Sequence, residues 1–303
     1  MTPTRSACID IGSNTTRLLV ADREGGRLSE VASLRVFTSL GAGRAPGEPL
    51  HADRIAAVVA AVGEQLAHAR SLGAARVDVV ATSAVRSAPN GDAVVSAVRD
   101  AHGVTLQVLD GEQEAAYAFA GATIGLDDVD PDALLAVVDV GGGSTELVLG
   151  TLAGGPHWSV SLAIGSGRLP PCADPPREAD LRRLRDRVHE AFSTVRPPGV
   201  PALALAVGGS ATSVRRLVGE QLSTQSLMSA LGVLCSATVA EIAARHLMDE
   251  RRVALLPAGL VLLGGAAATL GAPLQVAAGG LREGVLLGGG TAGTRRAIPP
   301  RAV

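Results

Sequence analysis

The chain has 303 residues, enough for two domains with a core each. A formal charge of −2 supplies no global basic field for a nucleic acid polymer or an anionic membrane, so any polyanion must be gripped locally. All 27 basic residues are Arg, and the absence of Lys excludes a P-loop, a protein-kinase strand lysine and Schiff-base chemistry. Cys8, Cys172 and Cys235 lack paired spacing, which fits a reducing cytoplasm better than a disulfide or zinc scaffold. Asp10 and Arg17 interrupt the first apolar segment, so it does not read as a secretory signal, and a cytoplasmic location is expected.

In chain order, the apolar run Cys8-Ile9-Asp10-Ile11 breaks at Gly12-Ser13-Asn14-Thr15 and resumes through Leu18-Leu19-Val20, predicting strand, tight turn and strand. Residues 27–40 predict further strands ending in the turn Gly41-Ala42-Gly43. A helix follows over 52–72, with Ile55, Val58, Val59, Val62 and Leu66 at helical spacing. Then come a strand at 77–81, a helix at 92–101, a strand at 104–109 and a helix at 112–124. Residues 125–132 are polar and acidic, a joint between lobes at 1–124 and 125–303.

The second lobe opens with strand, turn and strand over 137–149 and a third strand at 157–164. A stiff proline-rich connection at 170–176, a helix from 178 to about 195, a strand at 202–207 and a helix opening at Gly209 come next. Residues 253–280 carry no charge and exceed the length of a membrane span. Pro257, Gly264, Gly265, Gly271 and Pro273 interrupt them and no aromatic belt flanks them. They predict a buried helix and a strand near 274–277, with no membrane contact. A last helix, about 280–290, is expected to pack back onto the first lobe, and the helices after Ser236 offer a homodimer face.

The two strand pairs echo each other. Asp, Gly, Thr and Leu recur in identical slots, with Asp139 standing 129 positions after Asp10. Consecutive N–H groups in a glycine turn form a nest for an anion, and the neighbouring Asp is a hard oxygen ligand suited to Mg²⁺ or its water. Four more segments invite chemistry. Ala81-Thr82-Ser83-Ala84-Val85-Arg86 ends a strand with an Arg fork, or with an ordinary surface Arg. Gly111-Glu112-Gln113-Glu114 opens a helix with carboxylates, which favourable first-turn charge also explains. Val207-Gly208-Gly209-Ser210-Ala211-Thr212 and Gly279-Gly280-Leu281-Arg282-Glu283-Gly284 are glycine-led helix starts.

Taken in order, these segments resemble the exopolyphosphatase and guanosine pentaphosphate phosphohydrolase family, within the actin-like, sugar-kinase and heat-shock ATPase superfamily. The carriers are Ile9-Asp10-Ile11-Gly12-Ser13-Asn14, the segment ending in Arg86 with Asn90, Gly111-x-x-Glu114-Ala115, and Asp139-x-Gly141-Gly142-Gly143-Ser144-Thr145-Glu146. The resemblance implies an α/β fold of two ribonuclease H-like (actin-like) lobes facing a central cleft. It implies a phosphoanhydride hydrolase that releases inorganic phosphate from polyphosphate or, as the alternative, from guanosine pentaphosphate.

By the same resemblance Glu114 orients or deprotonates the attacking water, while Asp139, Glu146 and Asp10 engage Mg²⁺ or Mn²⁺. Gly12, Ser13, Asn14, Thr15, Arg86, Gly141, Gly142, Gly143, Ser144 and Thr145 would hold phosphoryl oxygens, with Gly208, Gly209 and Ser210 as a third contact. Two departures stand out. The third loop reads Gly208-Gly209-Ser210-Ala211-Thr212 where the family usually has Gly-Thr-x-Gly-Thr, and no further helical domain follows, which implies a preference for shorter chains. Few aromatic residues are present to stack on guanine, which tilts the reading toward the inorganic polymer. An actin-like ATPase or kinase and a phosphate sensor are the other classes open at this stage.

Overall fold

In the computed structural model, residues 4–45 and 47–288 are described. Five strands form the first sheet: β1 (Thr4–Ile11), β2 (Thr16–Glu24), β3 (Arg27–Val36), β4 (Arg76–Ala81) and β5 (Leu106–Val108). Their order is β3-β2-β1-β4-β5, with β1, β2 and β3 antiparallel and β4 and β5 parallel to β1. Around them run the helices α1 (Ala52–Ser71), α2 (Ser83–Arg86), α3 (Gly91–His102) and α4 (Gly111–Ala122). The short α2 was not expected from periodicity, because four residues are too few to show one.

The second half repeats the plan with β6 (Leu135–Val140), β7 (Thr145–Thr151), β8 (Gly155–Leu162), α5 (Glu178–Phe192), β9 (Leu203–Val207) and α6 (Gly208–Val218). It then continues through β10 (Gln221–Leu222), α7 (Thr224–Ser236), α8 (Val239–His246), α9 (Glu250–Ala254), α10 (Leu256–Leu270), β11 (Leu274–Val276) and α11 (Leu281–Gly288). The sheet order is β10-β11-β9-β6-β7-β8, so β8-β7-β6-β9-β11 mirrors the first sheet strand for strand. These are the two lobes of a ribonuclease H-like α/β protein.

The central strands read as continuous apolar runs because helices cover both faces. Leu135, Ala136, Val137 and Val138 of β6 are fully buried, and each such Val or Leu contributes about 1.5–3 kcal/mol. The charge-free stretch resolves into α10 and β11. Leu260, Leu262, Leu263 and Ala266 join the core formed with α5, α6 and α7, and Pro257 sits in the first turn, where its missing N–H costs nothing. Among the described residues no helix is long and apolar enough to cross a membrane.

The lobes exchange helices, which corrects the division at residue 124 for α4. The apolar face of α4, Ala115, Ala118, Phe119 and Ala122, is buried against Leu135, Val137, Val148 and Leu205 of the second sheet. In return, Leu281, Val285 and Leu286 of α11 cover Cys8, Leu19 and Val80 of the first. Residues 289 and 290 of the predicted last helix lie outside the described residues. The two exchanged helices touch backbone to backbone: a Cβ on Gly121 would strike the carbonyl of Gly280, and one on Gly284 that of Tyr117.

This contact predicts that Gly121→Ala lowers stability by about 1–3 kcal/mol in urea unfolding. Gly232→Ala, inside α7 with open space around its Cβ position, should instead raise it by about 0.5–1 kcal/mol. Equal effects of the two substitutions would refute the close crossing.

Candidate active site

The sequence echo is a structural repeat. In the first turn the Gly12 N–H donates to the Thr15 carbonyl at 3.0 Å, and in the second the Gly141 N–H donates to the Ser144 carbonyl at 3.0 Å. Asp10 pairs across the strands with Arg17, and Asp139 in the matching slot with Glu146. The turns meet tip to tip. The Asn14 amide occupies the space a Cβ on Gly142 would need, and the Ser13 hydroxyl that of Gly143, so a side chain at either position would displace a residue of the facing turn. Gly208, at φ +87°, brings the third loop against the Asp139 carboxylate.

Between the lobes these turns enclose a cavity of about 130 Å³. Of the residues expected at the site, Asp10, Gly12, Ser13, Asn14, Thr15, Glu114, Asp139, Gly141, Gly142, Gly143, Ser144, Gly208 and Gly209 line it. Arg86, Thr145, Glu146 and Ser210 do not, and each has a local reason. Arg86 spends its Nη1 on Glu114 Oε2 at 2.7 Å and on the Leu109 carbonyl at 2.8 Å. Thr145 donates to the Ile164 carbonyl at 2.7 Å, and Ser210 is buried where α6 meets Gly259 of α10. Glu146 is 1% exposed and accepts from the Ser161 hydroxyl at 2.7 Å, on the sheet face that the first turn of α4 covers. It therefore stands across the strands from Asp139 but behind the cavity wall.

The cavity also gathers residues to which the sequence reading assigned no site role. Arg17, Arg252, Arg282, Thr82 and Ser83 line it. Arg17 had a legible signal, since it takes the slot of Glu146 in the repeat. Arg252, in the short α9, had none; the fold alone brings it to Gly209, where its guanidinium and that of Arg17 fill the space of a Cβ. Arg252 is 4% exposed, its Nε has no hydrogen-bond partner, and among the described residues no carboxylate pairs with it. Burial, then Arg17 and Arg35, push its pKa down to about 9. Its outer face rests on the Phe37 ring, 5.7 Å from the centroid, beside Arg251 at 4.2 Å.

The acids are perturbed the other way. Burial raises Glu114 to about 7, with the Arg86 ion pair opposing and Asp139 and Asp10 adding to the rise. Asp139 is raised to about 6 by burial and Asp10 against the pull of Arg17, and Asp10 itself is raised by burial. Glu146 is driven well up by burial, then by Glu114 and Asp139. Unpaired cations and hard-to-ionise acids thus share one cavity with two anion-binding turns. Such a site can seat a phosphoryl group and present a base to it.

Two ribonuclease H-like lobes enclose this cradle. The family model described as the Ppx/GppA phosphatase family matches residues 19–290, and the chain belongs to that family. Exopolyphosphatase 1 of Mycobacterium leprae is 34% identical over 71% of this chain, which spans 65% of that protein. Exopolyphosphatase 2 of Mycobacterium tuberculosis is 31% identical over 85% of each chain. The solved Ppx/GppA enzyme of Aquifex aeolicus superposes with a TM-score of 0.74 at 28% identity, covering 94% of this chain and 99% of that one.

Glu114 carries a stability consequence. Its pKa rises from 4.5 to about 7 on folding, so its favourable contribution is complete below pH 4.5 and is lost as pH climbs through 7. Glu114→Gln stays neutral throughout. With a chelator present, the variant should be about as stable as the native chain at pH 5 and more stable at pH 8, by on the order of 2–3 kcal/mol in urea unfolding. A difference independent of pH would refute the assigned shift.

Proposed function

We propose that the chain releases orthophosphate from the end of inorganic polyphosphate, with Glu114 as the general base. The observation that carries this reading is Glu114 itself, a carboxylate with a pKa near 7 in the wall of a cavity built from two anion-binding turns. The terminal phosphoryl group sits in the turns, against the N–H groups of Gly142 and Gly143, the hydroxyls of Ser13 and Ser144 and the Asn14 amide, while the Gly12 and Gly141 N–H groups close the turns. Arg86 is the positioning residue: anchored on the Leu109 carbonyl, it holds Glu114 Oε2 and leaves Oε1 to take a proton from water. The water oxygen bonds to phosphorus, the bond to the bridging oxygen breaks, and the shortened chain leaves with its negative charge facing Arg17 and Arg252.

The residues fit Mg²⁺ or Mn²⁺. Asp10 Oδ1 is buried with no hydrogen-bond partner, and Asp10 and Asp139 raise the cost of each other's ionisation, so both await a cation. Mg²⁺ is usually bound by one or two carboxylates with water and substrate phosphates, which suits two acids; among the described residues no cluster of three or more metal-binding side chains occurs. Asp10 and Asp139 would hold the ion, which when bound neutralises charge on the phosphoryl oxygens.

Inorganic polymer is favoured over guanosine pentaphosphate and ATP for two reasons. A pocket enclosing a nucleotide-sized ligand typically offers about 300–1,000 Å³, against about 130 Å³ here. No aromatic side chain lines the cavity to stack on a base. With three arginines in its wall the site grips only the last few phosphoryl groups, so affinity should level off at short chain lengths.

Phosphate release from polyphosphate, guanosine pentaphosphate and ATP, measured side by side, tests the assignment. Polyphosphate should be fastest, and faster turnover of either nucleotide would overturn it. Glu114→Gln should lose about 10²–10⁴-fold in kcat with KM little changed, whereas Arg252→Gln should act mainly through KM. Chelation should abolish release and Mg²⁺ restore it; full activity in chelator would remove the metal from the reading.

A further inference from the structure

A second cavity adjoins the first, sharing Ser13, Asn14, Gly142 and Gly143 with it, so that only the tips of the paired turns separate the two. Arg44, from the loop after β3, and Arg168, from the loop after β8, line this second space. The two guanidinia therefore come from opposite lobes, yet they converge on one hydroxyl. Arg44 Nη2 donates to Ser87 Oγ at 2.8 Å and Arg168 Nη2 to the same atom at 3.2 Å. A serine oxygen cannot neutralise two cations.

No carboxylate does so either. Among the described residues neither Arg44 nor Arg168 makes an ion pair. Glu48 is close at hand, but its carboxylate accepts from the Ala45 N–H, and Arg44 takes the Glu48 backbone carbonyl instead. Arg44 Nε is buried and has no partner at all. Burial and the charge of Arg44 both depress the Arg168 pKa, the sign of like charges held together without a counter-ion. An unsatisfied buried donor of this kind costs about 1–3 kcal/mol, more when charged, and a bidentate oxyanion is what a guanidinium fork matches best.

We propose that Arg44, Arg168 and Ser87 form a second oxyanion site that takes a tetrahedral phosphate at the mouth between the lobes. The enclosed space is about 10 Å³, and about that much holds one water, so the anion is gripped at the rim by the half-exposed guanidinia rather than engulfed. The proposal rests on the reading of the cleft as a phosphoryl-handling one. Its phosphate has two sources: the orthophosphate just released in the neighbouring cavity, or a more distant unit of the same chain. Because the two arginines belong to different lobes, an anion between them also holds the lobes together.

Calorimetric titration with inorganic phosphate tests the site without turnover. The native chain should bind two phosphates and Arg44→Gln/Arg168→Gln one; unchanged stoichiometry in the double variant would overturn the proposal. If the cradle reading alone is wrong, the native chain binds one phosphate, and the double variant loses it. Arg168→Lys, which keeps the charge, should retain weakened binding and guards against a folding artefact. Kinetics then separate the sources. A rise of about tenfold in the orthophosphate inhibition constant, equal to about 1.4 kcal/mol, with KM unchanged identifies the released product; a KM that rises only for long chains identifies the chain.

Discussion

One partly buried ion pair, Glu114 with Arg86, ties the chemistry to the architecture. Arg86 ends α2 on the first sheet, while Glu114 lies in the first turn of α4, whose apolar face is buried on the second. The pair therefore spans both lobes at 2.7 Å, beside a cavity that both build. Deleting Arg86 would leave the Glu114 carboxylate buried and uncompensated, a change that typically costs about 3–5 kcal/mol. The geometry of the base is thus locked to the geometry of the interface. A shift between lobes large enough to spoil the cradle would also strip Glu114 of its partner.

Elsewhere in the cavity charge is kept apart rather than paired. Asp10 and Asp139 line the same cavity with no donor on Asp10 Oδ1, and Arg17 and Arg252 crowd together on Gly209. Burial makes each of these ions costly, which is why the acids are shifted up and the arginines down. A protein selected for stability alone would pair or remove them. The proposed phosphoryl ligand, with the proposed divalent cation, would account for their persistence.

Much of this was legible from residue order. The repeated turns, the carboxylates Asp10 and Asp139, the helix start at Glu114 and the strand-and-helix succession follow from local pattern, since a glycine turn between apolar runs has few ways to fold. Three placements differ from the sequence reading for one reason. Arg86 read as an open fork because Glu114, 28 positions later, was not yet known to claim it. Glu146 read as a cavity acid because its strand register points it to the same face as Asp139, and only α4 lying over that face removes it. The assignment of α4 to the first lobe failed because chain order does not say which sheet an apolar helix face will cover.

The sequence by itself determined the two-fold repeat, the glycine turns, the class of chemistry and the absence of lysine from it, because all of these reside in contiguous residues whose backbone preferences are local. The tertiary structure alone decided which charges share a cavity. Arg252 and Arg17 meet only once α9 and β2 are packed, and Arg44 and Arg168 only once the lobes close. Desolvation and charge proximity depend on distances through space, and no spacing along the chain encodes them.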